Sequence, residues 1–214
     1  CVDNQTDKIE SSVTNAAPKT DIEQQIFAEQ IALVHGLTPF TLFMSMIGST
    51  LVLFAVWGSA PRSLLIGWYV CHHIVTLCRY QEIRAYRRAT PSPLDAGLWA
   101  NRFVIGTTCA GLIWAIAGTV LFPPPGHATQ FFVGIYLIGV AASGMFSLAQ
   151  YFRAYVPLAV LSIAPMCVWL LASGIPDQQF SGGASFLFLY IALSNARRYE
   201  RLNRDSIRLR LEIE

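Results

Sequence analysis

LWANRFVIGTTCAGLIWAIAGTVLFPPPGHATQFFVGIYLIGVAASGMFSLA, residues 98–149, decides the fold class. It holds two apolar runs, Leu98 to Phe122 and Thr129 to Ala149, separated by Pro123-Pro124-Pro125-Gly126. As helices rising ~1.5 Å per residue, each run is long enough to cross ~30 Å of hydrocarbon. Three prolines and a glycine cannot continue a helix, so the chain must turn between them.

Four more apolar runs lie outward from this pair: Pro39 to Trp57, Ser63 to Tyr80, Tyr155 to Ala172 and Gly182 to Ala196. Ser59-Ala60-Pro61 and Gly174-Ile175-Pro176-Asp177 supply turn chemistry, and the polar patch Gln150-Tyr151-Phe152-Arg153 separates the fourth run from the fifth. The expected fold class is all-α, a polytopic membrane bundle of six transmembrane helices. Composition agrees. Of 214 residues, 54% are apolar and only 13% charged, outside the usual soluble range. There is no basic stripe for nucleic acid, and the partner implied at once is the lipid bilayer.

Charge placement sets the orientation. Of the fifteen Lys and Arg residues, only Arg62 falls on the far side of the expected spans. Lys8, Lys19, Arg79, Arg84, Arg87, Arg88, Arg102, Arg153 and the six arginines from Arg197 to Arg210 fall on the other. The positive-inside rule therefore puts both termini in the cytoplasm of a multi-pass protein of the bacterial inner membrane. The three outward loops are too short to hold a folded ligand-binding domain.

Residues 1–21 are polar and without periodicity, which suggests a flexible arm. Cys1 is not an initiator Met, so the chain is expected to come from a longer one. Thr20 with Glu23 forms a capping-box pattern, and Ile22, Ile26, Phe27, Ile31 and Val34 share one side of residues 22–36, as in an interfacial amphipathic helix. Residues 37–196 would then form the six-helix domain and residues 197–214 a cytoplasmic signalling helix.

Cys71-His72-His73, with Cys78 a further seven residues from Cys71, lies mid-run, where ionisable side chains are costly and are functional candidates by default. Cys71 and Cys78 share a helix face. His72 and His73 diverge by about 100° and cannot both ligate one ion undistorted. The alternatives are a metal or haem site completed from other helices, for which Cys109, Cys167 and methionines remain, or neutral imidazoles bonded to Ser, Thr or backbone groups. The sequence leaves the cofactor unknown, with none at all among the alternatives. Small residues on the third run (Gly106, Ala110, Gly111, Gly118) and the fourth (Gly134, Gly139, Ser143, Gly144) suit close helix packing. Pro165, inside the fifth, is a candidate kink or hinge. Salt bridges to Arg84, Arg87 or Arg88 are the ordinary expectation for Glu82 and Asp95. No phosphate loop, nucleophile with base, paired-carboxylate site or closed zinc motif is present, so no catalytic residue is assigned.

Residues from Ser194 to Glu214 are expected to prolong the sixth helix out of the membrane. Asn195, Tyr199, Leu202, Ser206, Leu209 and Ile213 are spaced alternately by four and three, a heptad seam through which two copies can pair as a parallel coiled coil. The competing use of such an arginine-rich helix is to lie on anionic lipid.

Six stretches carry a resemblance: Glu29-Gln30-Ile31-Ala32-Leu33, Leu65-Ile66-Gly67-Trp68, Arg84-Ala85-Tyr86-Arg87-Arg88-Ala89, Gly111-Leu112-Ile113-Trp114-Ala115-Ile116-Ala117-Gly118, Ser147-Leu148-Ala149-Gln150-Tyr151 and Ser206-Ile207-Arg208-Leu209-Arg210-Leu211-Glu212. In this order and spacing, residues 29–214 resemble the multi-helix membrane sensor region that precedes the catalytic parts of bacterial histidine kinases, hybrid kinases and diguanylate cyclases. The resemblance implies a sensory module, dimeric through its last helix, feeding a C-terminal output domain beyond Glu214. It transfers no catalytic residue. It leaves the stimulus open, because His72 and His73 stand where that pattern is aliphatic.

The sensing candidates are then Cys71, His72, His73, Cys78 and Trp114, with Tyr199, Leu202, Ser206, Leu209 and Ile213 transmitting the signal. Two rival readings are a small membrane transporter, which would need broken helices or an internal repeat, and a metal- or haem-dependent membrane protein using the Cys71-His72-His73 cluster.

Overall fold

The computed structural model describes residues 3–126 and 128–213, with side chains from residue 22 onward. Residues 1, 2, 127 and 214 lie outside the described residues, among them Cys1, His127 and Glu214. Six α-helices follow one another: α1 Asp3–Ala55, α2 Arg62–Ala89, α3 Ala96–Ala117, α4 Ala128–Leu148, α5 Phe152–Ala172 and α6 Pro176–Ile213, with a single 3-10 turn, Pro93–Asp95, between α2 and α3. No strand occurs among the described residues.

Among the described residues four segments are long and apolar enough to cross a membrane: Ile22–Ala55, Pro93–Ala117, Ala128–Leu148 and Phe152–Ala172. That is two fewer than the six apolar runs suggest. The run within α2 is diluted by His72, His73 and Arg79, and the short run within α6, Gly182 to Ala196, contains Asn195 and is flanked by Asp177, Gln178 and Gln179 on one side and by Arg197 and Arg198 on the other.

The helices are ordered around α5. Its buried residues, from Ala154 and Tyr155 through Leu158, Ala159, Ser162, Ile163, Met166 and Cys167 to Leu170, form a double stripe at helical spacing. This stripe meets α3, α4 and α6. The α3 contact is close because Gly111 faces the α5 backbone: a Cβ there would stand 2.7 Å from the Pro157 carbonyl oxygen. Among the small residues expected to pack, Gly118 and Gly144 likewise abut neighbouring side chains, whereas Gly139 has open space beside it. The other half of the bundle is built by α1, which touches both α2 and α4, and by α2, which packs on α3.

Helix α1 differs most from the sequence reading. It passes without a break through Thr20 and Pro39, so the flexible arm, the interfacial helix and the first apolar run are one element over the described residues. Extending an existing helix fixes only one residue per hydrogen bond gained, a far smaller cost than nucleating a new one. No glycine interrupts residues 3–35. Ile26, Ile31 and Val34, the expected interfacial face, are buried inside the protein. At the other end of the chain, α6 continues past Ala196 to Ile213 as one helix.

Candidate functional site

The face of α2 turned into the bundle reads Leu65, Trp68, His72, Thr76, Arg79, Ile83, spaced by three or four residues. Four of these carry polar groups, which is unusual for a buried stripe. Each needs a partner from a neighbouring helix or its own backbone. Trp68 Nε1 donates to the Ile113 carbonyl on α3 at 2.8 Å. His72 Nε2 and Ser45 Oγ of α1 share a hydrogen bond of 3.0 Å. Thr76 donates back to the His72 carbonyl at 2.8 Å. Trp114, fully buried on α3, sits edge-on to both His72 and Trp68, with ring centroids 5.0 and 5.6 Å away.

Arg79 ends this polar series. Only 7% of it is exposed, its guanidinium stands 5.5 Å over the Phe103 ring, and its stem lies along Gly106. Nε and Nη2 are buried without a hydrogen-bond partner. Beside Arg79 opens a cavity of about 480 Å³ between α1, α2, α3 and α4, lined among others by Ser45, Thr76, Arg79, Trp114 and Tyr136. Tyr136 reaches across it to α1, where its hydroxyl occupies the space a Cβ on Gly48 would need.

One turn further along α2, Glu82 Oε1 lies 3.2 Å from His35 Nε2. Since His35 Nδ1 donates to the Ile31 carbonyl at 2.7 Å, a proton must lie between the imidazole and the carboxylate. Tyr86 stacks on His35 at 3.9 Å between ring centroids, and burial raises its phenol above the ordinary pKa. The expected salt bridges of Glu82 and Asp95 to Arg84, Arg87 or Arg88 are not formed. Those arginines are on exposed positions of α2, and Asp95 instead accepts the Ser92 hydroxyl at 2.8 Å.

A third polar group joins α1, α5 and α6. Gln30 Nε2 donates to the Gln150 carbonyl at 2.8 Å, the Phe152 backbone N–H donates to Glu200 Oε1 at 2.9 Å, and Phe27 packs edge-on against Tyr151. Beyond it, Arg204 donates to Glu23 at 2.7 Å, and Arg208 and Arg210 pair with Glu23 and Glu29. These contacts seat one face of α6, with Ala196 and Ile207 buried, against the first part of α1. The seam residues Tyr199, Leu202, Ser206, Leu209 and Ile213 lie roughly 120° round the helix and are all exposed, Leu202 by 60% and Ile213 by 85%.

The sequence-derived sensing residues thus separate. His72 and Trp114 come together at the cavity. His73 turns aside, donating from Nδ1 to the Tyr69 carbonyl at 2.9 Å, and Cys71 and Cys78 are exposed on the outer face of α2. Among the described residues no three His, Cys, Asp or Glu side chains converge to hold a metal ion. Pro165 lies within an unbroken α5 and lines a different cavity, of about 860 Å³, with Trp169 and Pro125.

No family model, curated protein or solved structure matches the chain. The site therefore has to be read from its own chemistry. Arg79 was legible only as a topology-setting charge, and His35, Ser45 and Tyr136 carried no signal as single residues. The period of the α2 stripe was the one available clue, since Trp68, His72, Thr76 and Arg79 share a face at helical spacing.

Proposed function

We propose that this chain is a sensory and signal-transmitting membrane module. In this reading it spans the bacterial inner membrane six times with both termini cytoplasmic, acts as a homodimer, and passes a membrane-borne stimulus to an output domain beyond Glu214, a histidine kinase first and a diguanylate cyclase second. Helices α2 and α6 join the four apolar segments as spans. Supporting this, α2 turns Leu64, Ile66, Val70, Ile74 and Leu77 outward, and α6 turns Phe180, Phe186, Leu187, Tyr190 and Ile191 outward. Exposed apolar belts of this size suit hydrocarbon rather than water.

One observation carries the reading: α6 is a single helix from Pro176 to Ile213 whose first part packs on α5 and whose last part leaves a heptad seam exposed. A rigid rod with its own chain on one face and a free apolar stripe on another is suited to moving a dimeric partner domain.

Cysteine cross-linking of the full chain in membranes, with the native cysteines replaced by alanine, tests the pairing. Leu202→Cys and Leu209→Cys should each give disulfide-linked dimers under mild oxidation, and Ile207→Cys, packed against the chain's own α1, should not. Equal cross-linking at all three positions, or at none, would remove the dimer from the proposal.

A further inference from the structure

We infer that the cavity beside Arg79 is a binding site for a single-chain amphiphile carrying a carboxylate, entering sideways from the bilayer. A buried arginine is costly unless its charge is answered, and here the chain supplies the field of Glu82 but no hydrogen bond to Nε or Nη2. Its Nε and Nη2 have no partner, and the nearest acid along α2, Glu82, is committed to His35. These two nitrogens form one edge of the guanidinium fork, the edge that takes both oxygens of a carboxylate side by side; both are covered in the unliganded chain, so a carboxylate meets them when the Arg79 side chain, which lines the cavity, turns toward it.

The rest of the cavity specifies the remainder of the ligand. From Arg79 and Thr41 its wall runs along α1 to Leu51, ten residues or ~15 Å of helix, and the wall is mainly apolar. The volume of about 480 Å³ lies within the usual range for a small ligand. Met44, Ile47 and Leu51 of α1 and Ile135, Gly139 and Ser143 of α4 line it while remaining exposed, so the opening lies between two helices and faces sideways. An acyl chain can lie along this wall with its head at Arg79 and its tail past Trp114 and Tyr136. His72 touches Trp114, so occupancy would be felt by the polar stripe of α2.

The site is a property of the chain by itself. That its occupant is the stimulus rests on the sensor reading, and the two can fail separately. Binding of radiolabelled decanoate is measured on the purified full chain in phosphatidylcholine nanodiscs. Saturable binding is expected, displaced by unlabelled decanoate and neither by decan-1-ol nor, at equal concentration, by decyl phosphate. Arg79→Gln should weaken it at least tenfold. Gly139→Leu leaves Arg79 intact and adds its side chain where a Cβ meets nothing within 4 Å, so it should fold normally and still weaken binding by narrowing the mouth. It keeps the test decisive if Arg79→Gln fails to fold. Absence of saturable binding, equal displacement by decan-1-ol, or undiminished binding in Gly139→Leu would overturn the site. Stronger displacement by decyl phosphate would overturn the carboxylate assignment. Decanoate that binds but leaves the activity of the proposed full-length parent unchanged would count against the sensor reading alone.

Discussion

Glu200 of α6 accepts the backbone N–H of Phe152, the first residue of α5, at 2.9 Å. The first N–H groups of a helix have no partner within it, and a carboxylate there is favoured by both hydrogen bonding and the helix dipole. The contact ties the proposed transmitting helix to the central helix of the bundle at the point where α6 turns its seam outward.

Glu200→Ala removes that cap and should lower stability by about 1 kcal/mol, as loss of a helix cap typically does. Glu200→Gln should keep most of it, since the amide oxygen still accepts. Thermal unfolding in detergent checks the pair. Equal losses in the two variants would mean that the charge of Glu200, and not its hydrogen bond to α5, carries the stabilisation.

Gly111→Ala puts a methyl group 2.7 Å from the Pro157 carbonyl oxygen, against backbone that cannot swing away. Overpacking of this kind costs ~1–3 kcal/mol. Gly139→Ala, with nothing within 4 Å, should change stability by less than about 0.5 kcal/mol. The same unfolding measurement should separate them, and equal effects would mean that α3 and α5 do not approach as closely as described.

Topology follows from the charge bias. Reporters fused after Thr90 and after Glu214 should both read cytoplasm, and one at Gly126 the outside. A cytoplasmic Gly126 would mean that the proposed crossings of α2 and α6 are miscounted.

Much of this arrangement could be read from the residues alone. Apolar length, the proline and glycine breaks and the polar patch Gln150 to Arg153 give α3, α4 and α5 to within a few residues, and Gly126 and Gly174 have the positive φ that their turns demand. The first apolar run, Pro39 to Trp57, is the later part of a longer helix, since α1 runs through Pro39 and ends at Ala55. The candidate site was less visible because its partners are distant in sequence: His35 meets Glu82 and Ser45 meets His72 only after α1 and α2 have packed. Arg79 was counted with the exposed arginines for the same reason. Nothing in a linear count distinguishes a charge that reaches water from one lying over Phe103.

The central claim is that the facing of α6 is the signal. The direct measurement uses the proposed full-length parent, kinase or cyclase, and compares two insertions between Asn203 and Arg204, in membranes at matched expression. One added residue rotates Ser206, Leu209 and Ile213 by about 100° relative to Tyr199 and Leu202, whereas seven restore the facing to within about 20°. Activity should be locked or lost with one residue and largely recovered with seven. Equal activity in both would make α6 a passive tether and contradict the account.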